Sequence, residues 1–305
     1  MSKHVFCRTL TLERGEPHAG TGRLSERYLM LAWPKGKWRV PRFQSADMSP
    51  ELGEAVRGAM QSERSDNAVE LVEGSPGQVL PTLFAYPEGR TAEPADDAEL
   101  IGLIHAWTEG TPLPGPQDRR ITILCCTDAK RDACCARFGF ATFKALVASA
   151  DPARFNILQS THLGGCRFAA SLIVLPSSQR YGRLTPDEVP AFLAALSADD
   201  IYLPASRGNP QLEEPEQAAE LAVMRWGAER GHKQSQAALV ERTAIADDRI
   251  VFIAQSGGET VSVTVQAREF LIDSACSGIG VEPPEVKKRW VAEAVVKLEA
   301  SALTA

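Results

Sequence analysis

Residues 125–135 read Cys125-Cys126-Thr127-Asp128-Ala129-Lys130-Arg131-Asp132-Ala133-Cys134-Cys135. They join an apolar run, Arg120 to Cys126, to a run with helical spacing, Cys134 to Ser149, whose apolar positions are Phe138, Phe143, Leu146 and Val147. A strand that passes through a short polar loop into a helix opens an α/β unit. The unit continues with a strand at Phe155–Leu158 and the string Thr161-His162-Leu163-Gly164-Gly165-Cys166-Arg167-Phe168. A hairpin follows, Ser171–Leu175 with Arg180–Leu184. Thr185-Pro186-Asp187-Glu188 then starts a helix to about Leu196, with Thr185 as cap and Glu188 completing a capping box.

The region upstream repeats this order. Tyr28 to Trp33 is a buried strand ended by Pro34. Ser49-Pro50-Glu51 opens a helix to about residue 63, with Ser49 as N-cap and Pro50 in the first turn. Ala68–Val72 and Thr82–Tyr86 are strands, and Ala98–Thr108 is a strand or a short helix. Thr82-Leu83-Phe84-Ala85-Tyr86-Pro87 matches Ser171-Leu172-Ile173-Val174-Leu175-Pro176 in pattern. The expected fold class is therefore α/β, with two similar units, of which only the second carries the cysteine cluster. Residues 1–25 are polar and Gly-rich and are expected to be irregular. Thr111 to Pro116 has the composition of a linker. Beyond residue 200 the pattern predicts a helix over Glu216–Glu229, then a meander of Ala237–Val240, Ile250–Gln255 and Thr260–Val265 turning at Gly257-Gly258, and a last amphipathic helix from about Glu285 to Leu303. The expected domains are 1–115, 116–200 and a C-terminal extension over 201–305.

The chain has 305 residues, 44% hydrophobic and 24% charged, with a formal net charge of −6. That length supports a sizeable core without disulfide staples. The acidic balance argues against nucleic-acid binding, which requires clustered Lys and Arg. No apolar run approaches the roughly 20 residues of a membrane span, and the N-terminus has no signal-peptide pattern. A cytoplasmic protein is expected. Its seven cysteines are Cys7, Cys125, Cys126, Cys134, Cys135, Cys166 and Cys276. An odd number in a reducing compartment points away from a disulfide framework. Five of them fall between residues 125 and 166, which points to metal or redox chemistry.

Cys126 and Cys135 lie nine positions apart, and His162 and Cys166 four apart. Four such donors in two pairs suit an iron–sulfur cluster or zinc. Gly164 and Gly165 allow a tight loop that turns both later donors toward one centre. Structural zinc sites favour thiolates two to four residues apart, because one ion needs both close together. The long spacer suits a [2Fe–2S] cluster better, since each iron can take its own pair. Lys130 and Arg131 would favour thiolate and an anionic cluster. Cys125 and Cys126 face opposite ways along a strand, and Cys125 with Cys134 keeps the same spacing, so either pair can supply the ligands.

The sequence resembles the sucrase/ferredoxin-like family. The resemblance rests on Cys126 to Cys135 with Arg131-Asp132, on His162-Leu163-Gly164-Gly165, Arg167-Phe168-Ala169, Leu175-Pro176 and Tyr181-Gly182-Arg183, and on Gly15-Glu16-Pro17 with Gly20-Thr21. It covers most of residues 7–200 and fades after about 230. It implies two thioredoxin-like units, the first degenerate, the second holding a [2Fe–2S] cluster, and an added α+β tail. The implied ligands are Cys126, Cys135, His162 and Cys166, with Cys125 and Cys134 as the fallback pair and Lys130, Arg131 and Arg167 around them. In the family the last ligand is histidine, so Cys166 is a departure. A thiolate there adds negative charge and should lower the potential relative to a two-histidine site. The implied function is ferredoxin-like electron transfer, with proton coupling through His162. The implied partners are a redox protein such as a reductase and the iron–sulfur assembly machinery. The acidic net charge fits a basic reductase, and the absence of a Gly-rich dinucleotide fingerprint fits a carrier that does not draw electrons from NAD(P)H itself.

Plainer roles compete for individual residues. Cys125 and Cys134 fit small buried hydrophobes, Cys7 and Cys276 fit core packing, and Asp132 fits a helix cap. Two other functions stay open. A thiol oxidoreductase or redox sensor on a thioredoxin-like fold would need a Cys-x-x-Cys pair or a reactive vicinal pair. A zinc-stabilised binding module would use the same four donors.

Overall fold

The computed structural model describes residues 5–61, 67–74 and 81–299. The first repeat comprises β1 (Arg27–Ala32), α2 (Pro50–Gln61), β2 (Asn67–Val72), β3 (Leu83–Tyr86), β4 (Arg90–Ala92) and α3 (Asp97–Thr108); a short helix α1 (Cys7–Glu13) precedes it. The second comprises β5 (Ile121–Cys126), α4 (Phe140–Ser149), β6 (Phe155–Ser160), β7 (Leu172–Leu175), β8 (Gln179–Tyr181) and α5 (Val189–Ser197). The chain divides into two compact units, the larger holding residues 24–178 and 183–189.

Seven of the eight strands of the mixed sheet lie in the larger unit, in the order β4-β3-β1-β2-β6-β5-β7. β1 is parallel to β2 and antiparallel to β3, and β5 is parallel to β6 and antiparallel to β7. Each repeat thus opens with a βαβ crossover whose first strand also pairs antiparallel with the next strand in sequence, as in the thioredoxin-like plan. The repeats meet through equivalent strands. β2 and β6 pair antiparallel at Val72 and Ser160, and Thr161 N donates to Leu71 O at 2.9 Å. Both central strands are apolar because helices cover them. In β1 and β5 every residue after the first is buried. In the first repeat, Leu29, Leu31, Val69 and Leu71 of the sheet pack with Leu52 and Val56 of α2 and with Leu100, Ile104 and Trp107 of α3.

Local signals fix the helix ends. Ser49 Oγ accepts from Leu52 N at 3.3 Å, and Asp96 Oδ1 accepts from Glu99 N at 2.9 Å. Thr185 and Glu188 form the capping box that their spacing predicts. The segment Ala98–Thr108, open between strand and helix in the sequence, is helix α3. The expected end of α2 near residue 63 lies outside the described residues.

The smaller unit holds residues 1–23, 179–182 and 190–305. Its main element is the sheet β12-β11-β10-β9, built from β9 (Ala238–Ala246), β10 (Arg249–Ser256), β11 (Glu259–Ile272) and β12 (Glu285–Lys297). Helix α6 (Glu214–Ala228) covers it through Ala218, Ala219 and Val223, which pack on Ile250, Phe252, Val261, Val263 and Val265. Two expectations are corrected here. Cys7–Glu13 is helical rather than irregular. The predicted last helix is the strand β12, paired with β11 from Glu285 to Lys297 except at Glu293; the final residues of the expected helix, 300–303, lie outside the described residues. β12 carries four valines and Trp290, which favour a strand. A register shift between Thr264 and Val265 of β11 spaces the inward residues Trp290, Ala292 and Val295 unevenly, so strict alternation is lost.

The early glycine motif has a structural role in this unit. Thr21 N and Gly22 N both donate to Arg207 O at 2.9 Å, and the Arg207 guanidinium returns bonds to Thr21. A Cβ on Gly22 would fall 2.7 Å from Gly208 O. Glu16 pairs with Arg289 of β12 at 3.0 Å.

Candidate metal centre

Parallel pairing of β5 with β6 places Cys126 opposite Ser160, so the loops after both strands leave the sheet at the same end. Cys126 is the last residue of β5. The loop that follows is folded by Asp128, whose Oδ1 accepts from Lys130 N and Arg131 N at 3.2 Å. Asp132 Oδ1 accepts from Cys134 N at 2.8 Å, as expected of a cap. A π-helical turn, Cys135–Gly139, then leads into α4. Such turns redirect side chains that a regular helix would align otherwise. Gly139 is required there: a Cβ would fall 2.0 Å from Cys126 O. After β6, Gly164 and Gly165 adopt φ of +86° and +73°, conformations that glycine takes without Cβ strain. The chain reverses, and Cys166 returns toward His162.

The ligating atoms of Cys126, Cys135 and His162 lie within 4.8 Å of one another. Cys166 Sγ lies 3.4 Å from His162 Nδ1 and is also hydrogen-bonded with Cys135. The four donors therefore form a ring in the order Cys126, Cys135, Cys166, His162. The three cysteines are buried, and His162 is partly buried.

Charge alternates around the ring. A hydrogen bond from Cys135, opposed by burial and helped by His162, holds the Cys126 thiol well below its usual pKa. The same combination lowers Cys166 to about 7. Cys135, whose proton serves these two thiolates, is raised well above the thiol range. Burial acts to lower the His162 pKa, but its bonds to Cys126 and Cys166 prevail and raise it to about 10. The ring therefore favours negative charge at Cys126 and Cys166, a retained proton at Cys135 and positive charge at His162.

The fallback cysteines stand apart from this ring. Cys125 faces away from it, donates to Gly139 O at 3.4 Å, and burial raises its pKa. Cys134 is buried, with its backbone N–H on Asp132. The expected surrounding cations are placed differently from one another. Lys130 Nζ reaches Gly36 O at 3.1 Å and Trp38 O at 2.5 Å, and Arg131 is exposed. The Arg167 guanidinium lies 4.4 Å from the Phe168 ring centroid.

Sequence reasoning missed Lys35. It lies just after β1, where the first repeat has its equivalent of the Cys126 loop. Its Nζ donates to Thr127 Oγ1 at 2.8 Å and Gln159 Oε1 at 2.6 Å. Burial lowers its pKa, while Glu73, Asp128 and the Cys126 thiolate favour the charged form. Asp128 is raised by burial and by Cys126, and its Oδ2 is buried with no hydrogen-bond partner among the described residues. Once the two halves are aligned as repeats, the position of Lys35 is the signal that identifies it.

Fold and site together define a thioredoxin-like α/β protein with a buried thiolate–imidazole centre. The sequence profile of the sucrase/ferredoxin-like family matches residues 19–208, and the chain belongs to that family. Among solved structures, the chain is similar to a thioredoxin-like [2Fe–2S] ferredoxin from Aquifex aeolicus, with 16% identity, 29% of this chain and 91% of that one covered, and a TM-score of 0.27. A wild-type structure of the thioredoxin-like [2Fe–2S] ferredoxin from Aquifex aeolicus gives 16% identity, 29% and 97% coverage and a TM-score of 0.26. A cysteine-to-serine variant from the same organism gives 16%, 28% and 96%, with a TM-score of 0.26. No curated protein matches the chain.

Proposed function

We propose that this protein is a ferredoxin-like electron carrier that holds a [2Fe–2S] cluster on Cys126, Cys135, His162 and Cys166. The observation that carries the reading is the ring of four donors, three buried sulfurs and one partly buried imidazole, from two loops at one end of the sheet. The donor chemistry fits. Iron–sulfur clusters take thiolates, with histidine as an accepted replacement, and the site favours deprotonation of two of the sulfurs, Cys126 held well below its usual pKa and Cys166 lowered to about 7. Each loop supplies one pair of donors, as two irons require.

A bound cluster would take up and release one electron at a time. The chain's own residues set the conditions. The apolar shell keeps water from the sulfurs, Lys35 supplies a fixed positive charge beside Cys126, and Gly164-Gly165 hold His162 and Cys166 together. An imidazole ligand with a second ring nitrogen can exchange a proton with solvent, so proton coupling belongs to this reading. So do a reductase or other redox protein as partner, cluster delivery by iron–sulfur assembly machinery, and residence in the cytoplasm. Among the described residues no helix is long and apolar enough to cross a membrane.

One observation favours a second reading. Three donor atoms within 4.8 Å of one another also suit a single tetrahedral ion, so the rival occupant is zinc. One preparation separates the two: anaerobic purification, a visible spectrum, and iron, sulfide and zinc assays on one sample. Absorption between about 400 and 600 nm that bleaches with dithionite, with about two irons and two sulfides per chain, is the expected result. A colourless protein with one zinc overturns electron transfer. A colourless, metal-free protein with titratable thiols leaves thiol chemistry.

A further inference from the structure

The rim of the site is basic in a chain whose net charge is −6. Residues 33–46 contain Lys35, Lys37, Arg39 and Arg42 and no carboxylate. Residues 129–149 contain Lys130, Arg131, Arg137 and Lys144 against one carboxylate, the buried Asp132. These stretches come from different repeats, yet their cations converge. Lys130 Nζ and an Arg39 guanidinium nitrogen both donate to Trp38 O, at 2.5 and 2.9 Å. Lys35 and Lys144 both face the Phe140 ring, their Nζ atoms 5.2 and 5.4 Å from its centroid. Among the described residues, no carboxylate forms an ion pair with Lys35, Arg39, Lys130 or Lys144. Arg42 pairs with Glu70 at 3.4 Å, and the carboxylates bordering the patch are Asp47, held by Trp33 Nε1, Glu73, which accepts from Lys35 N, and the buried Asp128, which accepts from Lys130 N and Arg131 N and favours the charged form of Lys35.

An excess of exposed cations over carboxylates is unfavourable for the isolated chain and favourable once an anionic surface covers it. The centre of the patch is Phe140, 40% exposed. An aromatic residue within a charged rim is the arrangement of a docking site for a protein. Its place in the chain links it to the metal centre: Phe140 follows Gly139, which touches the Cys126 carbonyl, and Lys35 bonds the residue after Cys126.

We infer that Phe140, with Lys35, Arg39, Lys130 and Lys144 around it, docks the acidic face of a redox partner protein. The local charge thus selects an acidic partner, although the net charge favours a basic one. The inference rests on the electron-transfer reading for the partner's purpose, but not for its charge.

The test has two arms. In the first, the cluster-loaded, reduced protein is mixed with hexacyanoferrate(III). One electron passes from cluster to anion, giving hexacyanoferrate(II), and no bond forms or breaks. The expected rate falls as salt rises from about 20 to 300 mM, and Lys130→Glu with Lys144→Glu slows it about five-fold at low salt. Arg242→Glu with Arg268→Glu changes the net charge equally in the other unit and should stay within about two-fold. A rate independent of salt, or equal slowing by both doubles, overturns the patch. In the second arm an oligoglutamate peptide is titrated into the metal-free protein by calorimetry. Binding lost in the Lys130/Lys144 double and kept in the control double supports the patch even if no cluster is found, in which case only the electron-transfer reading fails. Equal binding by both doubles, or preference for an oligonucleotide or an anionic vesicle over the peptide, overturns an acidic protein partner.

Discussion

The carbonyl oxygen of Cys126 occupies the space that a side chain on Gly139 would need: a Cβ there would stand 2.0 Å from it. The turn carrying Cys135 can approach the end of β5 only because residue 139 has no side chain. Gly139→Ala should therefore force the loop from the strand. Overpacking of this kind costs about 1–3 kcal/mol, read as a lower urea midpoint, together with loss of the thiolate ring. Gly53→Ala is the control. It lies within α2 with nothing within 4 Å of the added methyl, and alanine there should stabilise by about 0.5–1 kcal/mol. Equal midpoints for the two variants would contradict the close approach.

The choice between adjacent cysteines can be tested by removal. Cys126→Ser and Cys135→Ser should each abolish stoichiometric metal binding while the chain still folds, as judged by circular dichroism. Cys125→Ala should keep the metal. Its cost is the loss of a buried sulfur and a weak bond to Gly139 O, about 1 kcal/mol. Cys134→Ala should keep the metal too. Retention by the Cys126 variant with loss in the Cys125 variant would transfer the site to the fallback pair.

The repeats, the strand and helix order, and the caps at Ser49 and Thr185 were legible because each is a local pattern: alternation, apolar runs, or a capping residue at fixed offset. Strand alternation set Cys125 and Cys126 on opposite faces, and equal spacing tied each to one of Cys134 and Cys135, but neither could say which pair carries the site. That depends on the π-helical turn after Cys134, which no spacing rule announces. The strand β12 was misread because its valines and lysines fit a helical period as well as a strand, and only pairing with β11 decides between them. Lys35 was invisible for a different reason. It acts through an approach of the two repeats, and the sequence separation from Thr127 hides it.

The charged ring should show in the pH dependence of the metal-free protein. His162 is raised from 6.5 to about 10, so its contribution to stability is fully present below pH 6.5 and is lost as pH rises toward 10. Cys166 is lowered from 9.0 to about 7, so its contribution is present above pH 9 and is lost as pH falls toward 7. Between pH 7 and 9 the two slopes oppose each other. The stability difference between the native protein and His162→Gln should be level there and shrink above pH 9. Thiolate absorbance near 240 nm should titrate at about 7 in the native protein and higher in the variant. A difference that declines steadily from pH 7 would uncouple the Cys166 thiolate from His162 and leave Cys135 as its partner.

Lys35 gives the last prediction. Its ammonium is held by Thr127 and Gln159, and it is the fixed cation beside Cys126. Reduction adds negative charge to a cluster, so a nearby cation stabilises the reduced state more than the oxidised one. Lys35→Met should lower the midpoint potential of the loaded protein while leaving its metal content unchanged. The fold should hold, because Thr127 Oγ1 and Gln159 Oε1 lie 3.0 Å apart and keep one hydrogen bond between them. Lys35→Arg keeps the charge and should restore most of the potential, which a purely structural role would not do. An unchanged potential in the methionine variant would mean that solvent screens the ammonium from the site, and Lys35 would then act on the centre only by tying the first repeat's loop to the second.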